Sequence, residues 1–287
     1  MKLTDLGVIK DLFIRHGFSF TKSLGQNFLI NPSVSPKIAE MGGCDKKTCS
    51  LEIGTGIGVL TKELAIRSKK TVAIEIDRGL EPILAETLAD LSNIEVIFAD
   101  FMEIDLKKLF EEKFKDEEVV VCANLPYYIT SPVIMRILEE KLPVKSLTVM
   151  VQKEAAERIC AKVGSRECGA LTVAVNYYSD PKKLFNVTRG SFAPAPNVDS
   201  SVIRLDIANE KKYDVMDEKL FFRMIKSAFS QRRKQMINPL SADLPVSKAV
   251  LSGIMENAGI KASARAEELS MEDFVRLCNG IFDHIND

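Results

Sequence analysis

Residues 49–60 read CSLEIGTGIGVL: a short apolar run meets glycine at 54, 56 and 58 and then resumes as an apolar, helix-compatible stretch. A strand that enters a glycine turn and leaves it as a helix is the first half of a βαβ unit. Open α/β sheets bind their ligands there, outside the carboxyl ends of the strands. The spacing is Gly-x-Gly-x-Gly, not the Gly-x-Gly-x-x-Gly of dinucleotide binders, and no Gly-Lys-Ser/Thr follows as in a phosphate loop. A nucleoside other than NAD or ATP is favoured.

Working outward, TVAIEID, IEVIFAD, EEVVVCAN and KSLTVMVQ repeat the apolar, β-branched texture of CSLEIG, with helical stretches near 58–69, 78–91, 104–112, 130–140 and 152–162. Strands alternating with helices of this length predict right-handed crossovers and a parallel sheet covered on both faces. KLFNVTR and SSVIRLDI, joined by a proline-rich connection without a helix, predict an antiparallel hairpin at one sheet edge. GALTVAVNYY stays ambiguous between strand and helix. Before the sheet, residues 4–16 read as an amphipathic helix capped by Thr4. Asn31-Pro32 opens a second helix ending at Gly42-Gly43, and SLGQNFLI between them reads as an ordered loop. After residue 208 strands stop, and helices are expected near 216–230, 232–238, 246–258 and 270–283. The expected domains are 1–208, an α/β domain with a helical N-terminal extension, and 209–287, all helical.

The chain has 287 residues, 46% hydrophobic, enough for real cores. Its 39 basic and 40 acidic side chains nearly cancel, so any nucleic-acid surface must be a local patch. No apolar run approaches the ~18 residues of a membrane span. The N-terminus carries acid where a secretion signal would be basic, so a cytoplasmic protein without a membrane partner is expected. Six cysteines without a Cys-x-x-Cys pair and two histidines near the ends leave little for a disulfide, a metal site or a histidine triad.

Glu75 ends AIEID about 20 residues past the glycines, where a carboxylate accepts ribose hydroxyls. Asp100 ends IFAD, placed to accept from an adenine amine. Alone, each acid would read as a helix cap or a solvated turn. Together with a glycine loop suited to an amino-acid tail they outline S-adenosylmethionine. The next strand runs into Asn124-Leu125-Pro126-Tyr127. The exocyclic amine of adenine is a poor nucleophile because its lone pair is delocalised into the ring. Two acceptors, the Asn124 side-chain oxygen and the Leu125 carbonyl, would hold its hydrogens and aim the nitrogen at a methyl donor, with Tyr127 stacking on the base. Positioning and electrostatic matching make a strong general base unnecessary.

These residues together resemble the small-subunit ribosomal RNA adenine N6,N6-dimethyltransferases, a family of class I, S-adenosylmethionine-dependent enzymes. The resemblance extends to GQNFL (Gly25 to Leu29), QKEAAERI (Gln152 to Ile159), FAPAPNVDSSVIRL (Phe192 to Leu205) and QRRK (Gln231 to Lys234), nearly the whole chain. It implies a Rossmann-like, mostly parallel seven-stranded sheet with an antiparallel edge and a small all-helical C-terminal domain. It also implies cofactor contacts at Gln26, Asn27 and Leu29, at Glu52, Gly54, Gly56 and Gly58 in the glycine loop, and at Glu75, Asp100 and Asn124. Leu125, Pro126, Tyr127 and Phe192 join Asn124 in the catalytic group, Phe192 sandwiching the target base against Tyr127. One departure is Cys168-Gly169, where the family commonly has Tyr-Gly. Large-subunit RNA methyltransferases of the macrolide-resistance type share the cofactor fold, but their corner usually carries isoleucine and they lack the FAPAPNVDS connection. A non-catalytic assembly factor on the same fold is the other alternative.

Arg223, Lys226, Arg232, Arg233 and Lys234 lie between Leu220 and Ala242 with no acid among them, and residues 12–39 also carry bases without acids. Arg223, Arg232, Arg233 and Lys234 are therefore expected to contact phosphates of small-subunit ribosomal RNA or of a pre-assembled small subunit. Lys226 and Lys37 read as solvated. The protein is expected to be a monomer.

Overall fold

The computed structural model describes residues 1–19, 26–231 and 233–286. The chain runs α1 (Leu6–Arg15), β1 (Phe28–Leu29), α2 (Val34–Met41), β2 (Cys49–Ile53), α3 (Val59–Arg67), β3 (Lys70–Glu75), α4 (Glu81–Thr87), β4 (Ile94–Phe98), α5 (Leu106–Phe114), β5 (Val119–Ala123), α6 (Tyr127–Glu139), β6 (Val144–Gln152), α7 (Lys153–Ile159), α8 (Ala170–Tyr178), β7 (Ser179–Val187), β8 (Phe192–Ala193) and β9 (Ser200–Ile207). Four helices follow: α9 (Glu218–Ala228), α10 (Ile237–Asp243), α11 (Lys248–Asn257) and α12 (Met271–Asn286). None is long and apolar enough to cross a membrane among the described residues.

Seven strands form one sheet in the order β4-β3-β2-β5-β6-β9-β7. The first five in that order are parallel, and β9 runs antiparallel to β6. Every residue of β2 and β5 is buried, as expected for strands covered on both faces. The chain steps from β2 one way to β3 and β4, then returns to β5 on the other side. This reversal opens a crevice at the carboxyl ends of β2 and β5, with the glycine loop on one wall and Asn124 on the other.

Several sequence expectations shift. The predicted edge hairpin is present, with β7 at the edge of the sheet and β9 beside it against β6, but the proline-rich connection between them adds β8 to a second, two-stranded sheet. There Phe28 and Leu29, read as loop, pair antiparallel with Ala193 and Phe192. GALTVAVNYY is helix α8: the Thr172 hydroxyl donates to Arg158 O and accepts from Gly169 N, and Tyr177 is buried against Phe221. The cap of α1 is Asp5, whose carboxylate accepts from Gly7 N and Val8 N, rather than Thr4. The helix expected at 232–238 is Ile237–Asp243, which places Pro239 in its first turn, where its missing N–H has no helical partner to lose.

The chain forms two compact units, Met1–Ala156 with Lys182–Ile207, and Glu157–Pro181 with Ala208–Asp287. The single cut expected at 208 thus becomes an interleaving, with α8 belonging to the second unit. That unit has its own core, including Tyr177, Phe221, Met224, Leu251, Phe274 and Ile281.

Gly58 caps the start of α3 in the left-handed region (φ 89°), and a Cβ there would lie 3.0 Å from Leu88 Cδ2 and 3.2 Å from Thr87 Oγ1. A left-handed residue bearing a Cβ costs about 1–2 kcal/mol. Gly58→Ala is expected to destabilise the protein by that amount, read as a lower midpoint in chemical denaturation. An unchanged midpoint would show that the end of α4 yields freely.

Candidate functional site

The carboxyl ends of β2, β3 and β5 and the turn after β4 meet at a cavity of about 260 Å³. Gly54 and Gly56 line it in the left-handed region, with φ of 77° and 54°, so backbone alone forms that wall. Glu75, buried at the end of β3, holds the turn in place. Its Oε2 accepts from the Thr55 hydroxyl at 2.9 Å and from Gly56 N at 3.0 Å, while Oε1 accepts from Asp77 N at 2.9 Å. A carboxylate has about four acceptor positions. Three are used within the protein, so Glu75 offers one further position directly, and a second only if the Thr55 hydroxyl turns away. Gln26 also lines the cavity, its side-chain amide donating to Asp77 Oδ2 at 2.8 Å.

Glu52 and Ser35 form a different kind of wall. Glu52 is fully buried between β3 and β5, and neither carboxyl oxygen has a hydrogen-bond partner. Burial pushes its pKa well above the usual carboxylate range, the Thr61 hydroxyl opposes the shift, and the Glu75 charge adds to it. Ser35, on α2, is buried as well, and its hydroxyl is also without a partner. The motifs missed Ser35, although a signal exists: it shares the buried face of α2 with Ile38 and Ala39, at i+3 and i+4.

Asp100 spends Oδ1 on Met102 N at 2.8 Å, a local turn, and its second oxygen has no partner among the described residues. Asn124, just past β5, lines the cavity with its side-chain amide likewise unbonded among the described residues. Pro126 precedes α6 with φ of −54° and sets its entry. Tyr127 begins α6 with its hydroxyl 2.8 Å from Ser200 Oγ on β9, so the ring is held at its far end. Leu125, Pro126 and Phe192 line the same cavity, as do Asn27 and Leu29, and the β1–β8 pairing sets Leu29 opposite Phe192. Of the cofactor positions named from sequence, Gly58 alone does not line the cavity. Its role is the close packing of α3 against the end of α4. Tyr128, 62% exposed at the rim, was not singled out by sequence. No group of three or more His, Cys, Asp or Glu able to hold a metal occurs among the described residues.

The basic positions separate into three cases. Arg223 pairs with Asp243, its guanidinium reaching both the carboxylate and the backbone carbonyl. Arg233 and Lys234 are exposed, with no side-chain acid partner among the described residues, and Arg232 lies outside the described residues.

Residues 17–283 match the family model described as ribosomal RNA adenine dimethylase. The chain is 46% identical over 273 residues, 95% of each chain, to ribosomal RNA small subunit methyltransferase A of Alkaliphilus oremlandii. It is 45% identical over 279 residues, 96% of each, to the protein of that name from Bacillus cytotoxicus. Among solved structures, a dimethyladenosine transferase from Plasmodium falciparum superposes with a TM-score of 0.72 at 26% identity, covering 87% of this chain and 95% of that one. The 23S rRNA methyltransferase ErmE superposes with a TM-score of 0.67, also at 26% identity, covering 89% and 100%. A match over almost the full length, on a fold whose cavity gathers the glycine turn, Glu75, Asp100 and the Asn124 corner, leaves one conclusion: this chain belongs to the ribosomal RNA adenine dimethylase family.

Proposed function

We propose that the protein dimethylates the N6 amine of adenines in small-subunit ribosomal RNA, with S-adenosylmethionine bound in the strand-end cavity. The observation that carries this reading is the Asn124 amide, unbonded among the described residues, on the same cavity as Gly54, Gly56, Glu75 and Asp100. The wall fits that cofactor. A bare glycine turn admits a close approach, an unpartnered buried carboxyl at Glu52 suits a cationic tail, and Glu75 and Asp100 offer acceptors to a ribose and an adenine amine. The bound cofactor supplies a methyl group made electrophilic by its sulfonium.

The protein's own part is orientation. The Asn124 side-chain oxygen and the Leu125 carbonyl accept the hydrogens of the target amine and turn its nitrogen toward the donor. After one methylation the amine retains one hydrogen for the same corner, so a second transfer follows. Tyr127, tethered to Ser200, and Phe192, fixed by the β1–β8 pair, hold the base by its faces. A base reaching such a cavity must leave its stack, which favours an adenine in a loop or single strand. Shared fold does not separate small- from large-subunit targets, since the 23S enzyme superposes too. The relatives at 45–46% identity, Leu125 and the FAPAPNVDS segment support the small subunit. The helical second unit, with Arg233 and Lys234 exposed, is assigned the RNA backbone.

Glu75→Ala removes a charged acceptor, worth about 1.5–3 kcal/mol, so cofactor affinity by calorimetry should fall roughly tenfold to a hundredfold. Equal binding by a folded variant would remove Glu75 from the site. Replacing Arg233 and Lys234 together by Ala should lower the salt slope of RNA binding by about 1.8 units if each meets one phosphate. An unchanged slope returns both to solvent. Asn124→Ala should abolish dimethyladenine in digested small-subunit RNA, measured by mass spectrometry, while particle binding persists. Full dimethylation by this variant would refute the two-acceptor corner.

A further inference from the structure

Glu52 is a buried carboxyl on the cavity wall, and neither of its oxygens has a hydrogen-bond partner within normal distance among the described residues. Its strand neighbours are Ala73 on β3 and Cys122 on β5. The titratable groups acting on it are Glu75, an acid at the end of β3, and the thiol of Cys44 before β2. The Thr61 hydroxyl of α3 is the one group stabilising its charge, and no lysine, arginine or histidine is among them. An unpaired ion in such surroundings is costly, and the group protonates instead. The cluster that holds Cys44 and Cys122 also holds Val34 and Ile38, which flank Ser35 on α2. Ser35 thus brings a second unpartnered polar atom to the same wall.

We infer that Glu52 is a neutral acid in the free protein and exchanges its proton for the ammonium of the cofactor's amino-acid tail, with the Ser35 hydroxyl as the second acceptor. The inference rests on the proposed cofactor. The exchange balances: the carboxylic acid O–H breaks, its proton goes to solvent, and the resulting carboxylate pairs with an ammonium that keeps all three of its own hydrogens. No covalent bond forms to the ligand. A neutral resting state spares the free protein a buried charge, and the carboxylate appears only when a cation arrives to pair with it. The consequence is a dependence on tail chemistry: a ligand with the nucleoside but no amino-acid tail gives Glu52 nothing to exchange for.

The test is calorimetry of S-adenosylhomocysteine binding at pH 6.5, where its amine is charged, in buffers of differing ionisation enthalpy. Net proton release on binding is expected, with affinity rising as pH rises. 5′-Methylthioadenosine, which lacks the tail, should bind without proton release. Glu52→Gln mimics the neutral acid, so it should fold with undiminished stability, release no proton and bind S-adenosylhomocysteine at least tenfold more weakly. Ser35→Ala should weaken binding severalfold and still release the proton. Binding without proton release by the unaltered protein, or tight binding by Glu52→Gln, would overturn the inference while leaving the cofactor in place. Failure of S-adenosylhomocysteine to bind at all would overturn the cofactor reading and this inference with it.

Discussion

The carboxylate of Glu75 fixes the turn on which the rest of the site depends. Between β2 and α3 the backbone is neither sheet nor helix, so its N–H groups need partners from elsewhere. Glu75 reaches across from the end of β3 to take Gly56 N and the Thr55 hydroxyl, and Asp77 N is its third donor. Three donors compensate the burial of one charge and tie two strand ends together. Glu52, also buried but one strand away, has no hydrogen-bond partner within normal distance among the described residues, and burial is the largest influence on its ionisation. Two carboxyls of equal chemistry are thereby set in different surroundings, one bonded to the turn and one buried without a hydrogen bond among the described residues.

Local patterns made the parallel core legible. The apolar runs ending at Ile53, Glu75 and Ala123 are read correctly as strands because burial on both faces leaves continuous apolar sequence, and the half-buried edge strand ending at Phe98 is legible from its β-branched residues. The site followed from them, since strand ends in an open sheet converge. What pattern could not supply was non-local. The pairing of Phe28 and Leu29 with residues more than 160 positions later leaves no periodicity in a two-residue strand. Gly58 shows a different limit: its spacing matches Gly54 and Gly56, yet its φ and its neighbours serve the junction of α3 with α4. Ser35 was passed over because a small polar residue in an apolar helix face is unremarkable until its hydroxyl is found without a partner.

The basic segment teaches the same lesson on a smaller scale. Counting bases from 220 to 242 stops one residue short of Asp243, the acid that pairs with Arg223. Charge in sequence reports supply; only the fold reports which cations are already committed. The comparison with ErmE sets a similar limit on fold. A chain that superposes on a 23S enzyme over 89% of its length is also 46% identical to a relative named for the small subunit, so the shared sheet does not decide the RNA.

The strand-end cavity is proposed to transfer methyl groups to small-subunit adenines. The most direct test uses the unaltered protein with methyl-labelled S-adenosylmethionine, offered in parallel small-subunit particles lacking the modification and large-subunit RNA. Label is expected in small-subunit RNA alone, recovered as N6,N6-dimethyladenine at a stoichiometry of two methyl groups per modified adenine. Label in large-subunit RNA, or none in the particles despite measurable cofactor binding, would contradict it.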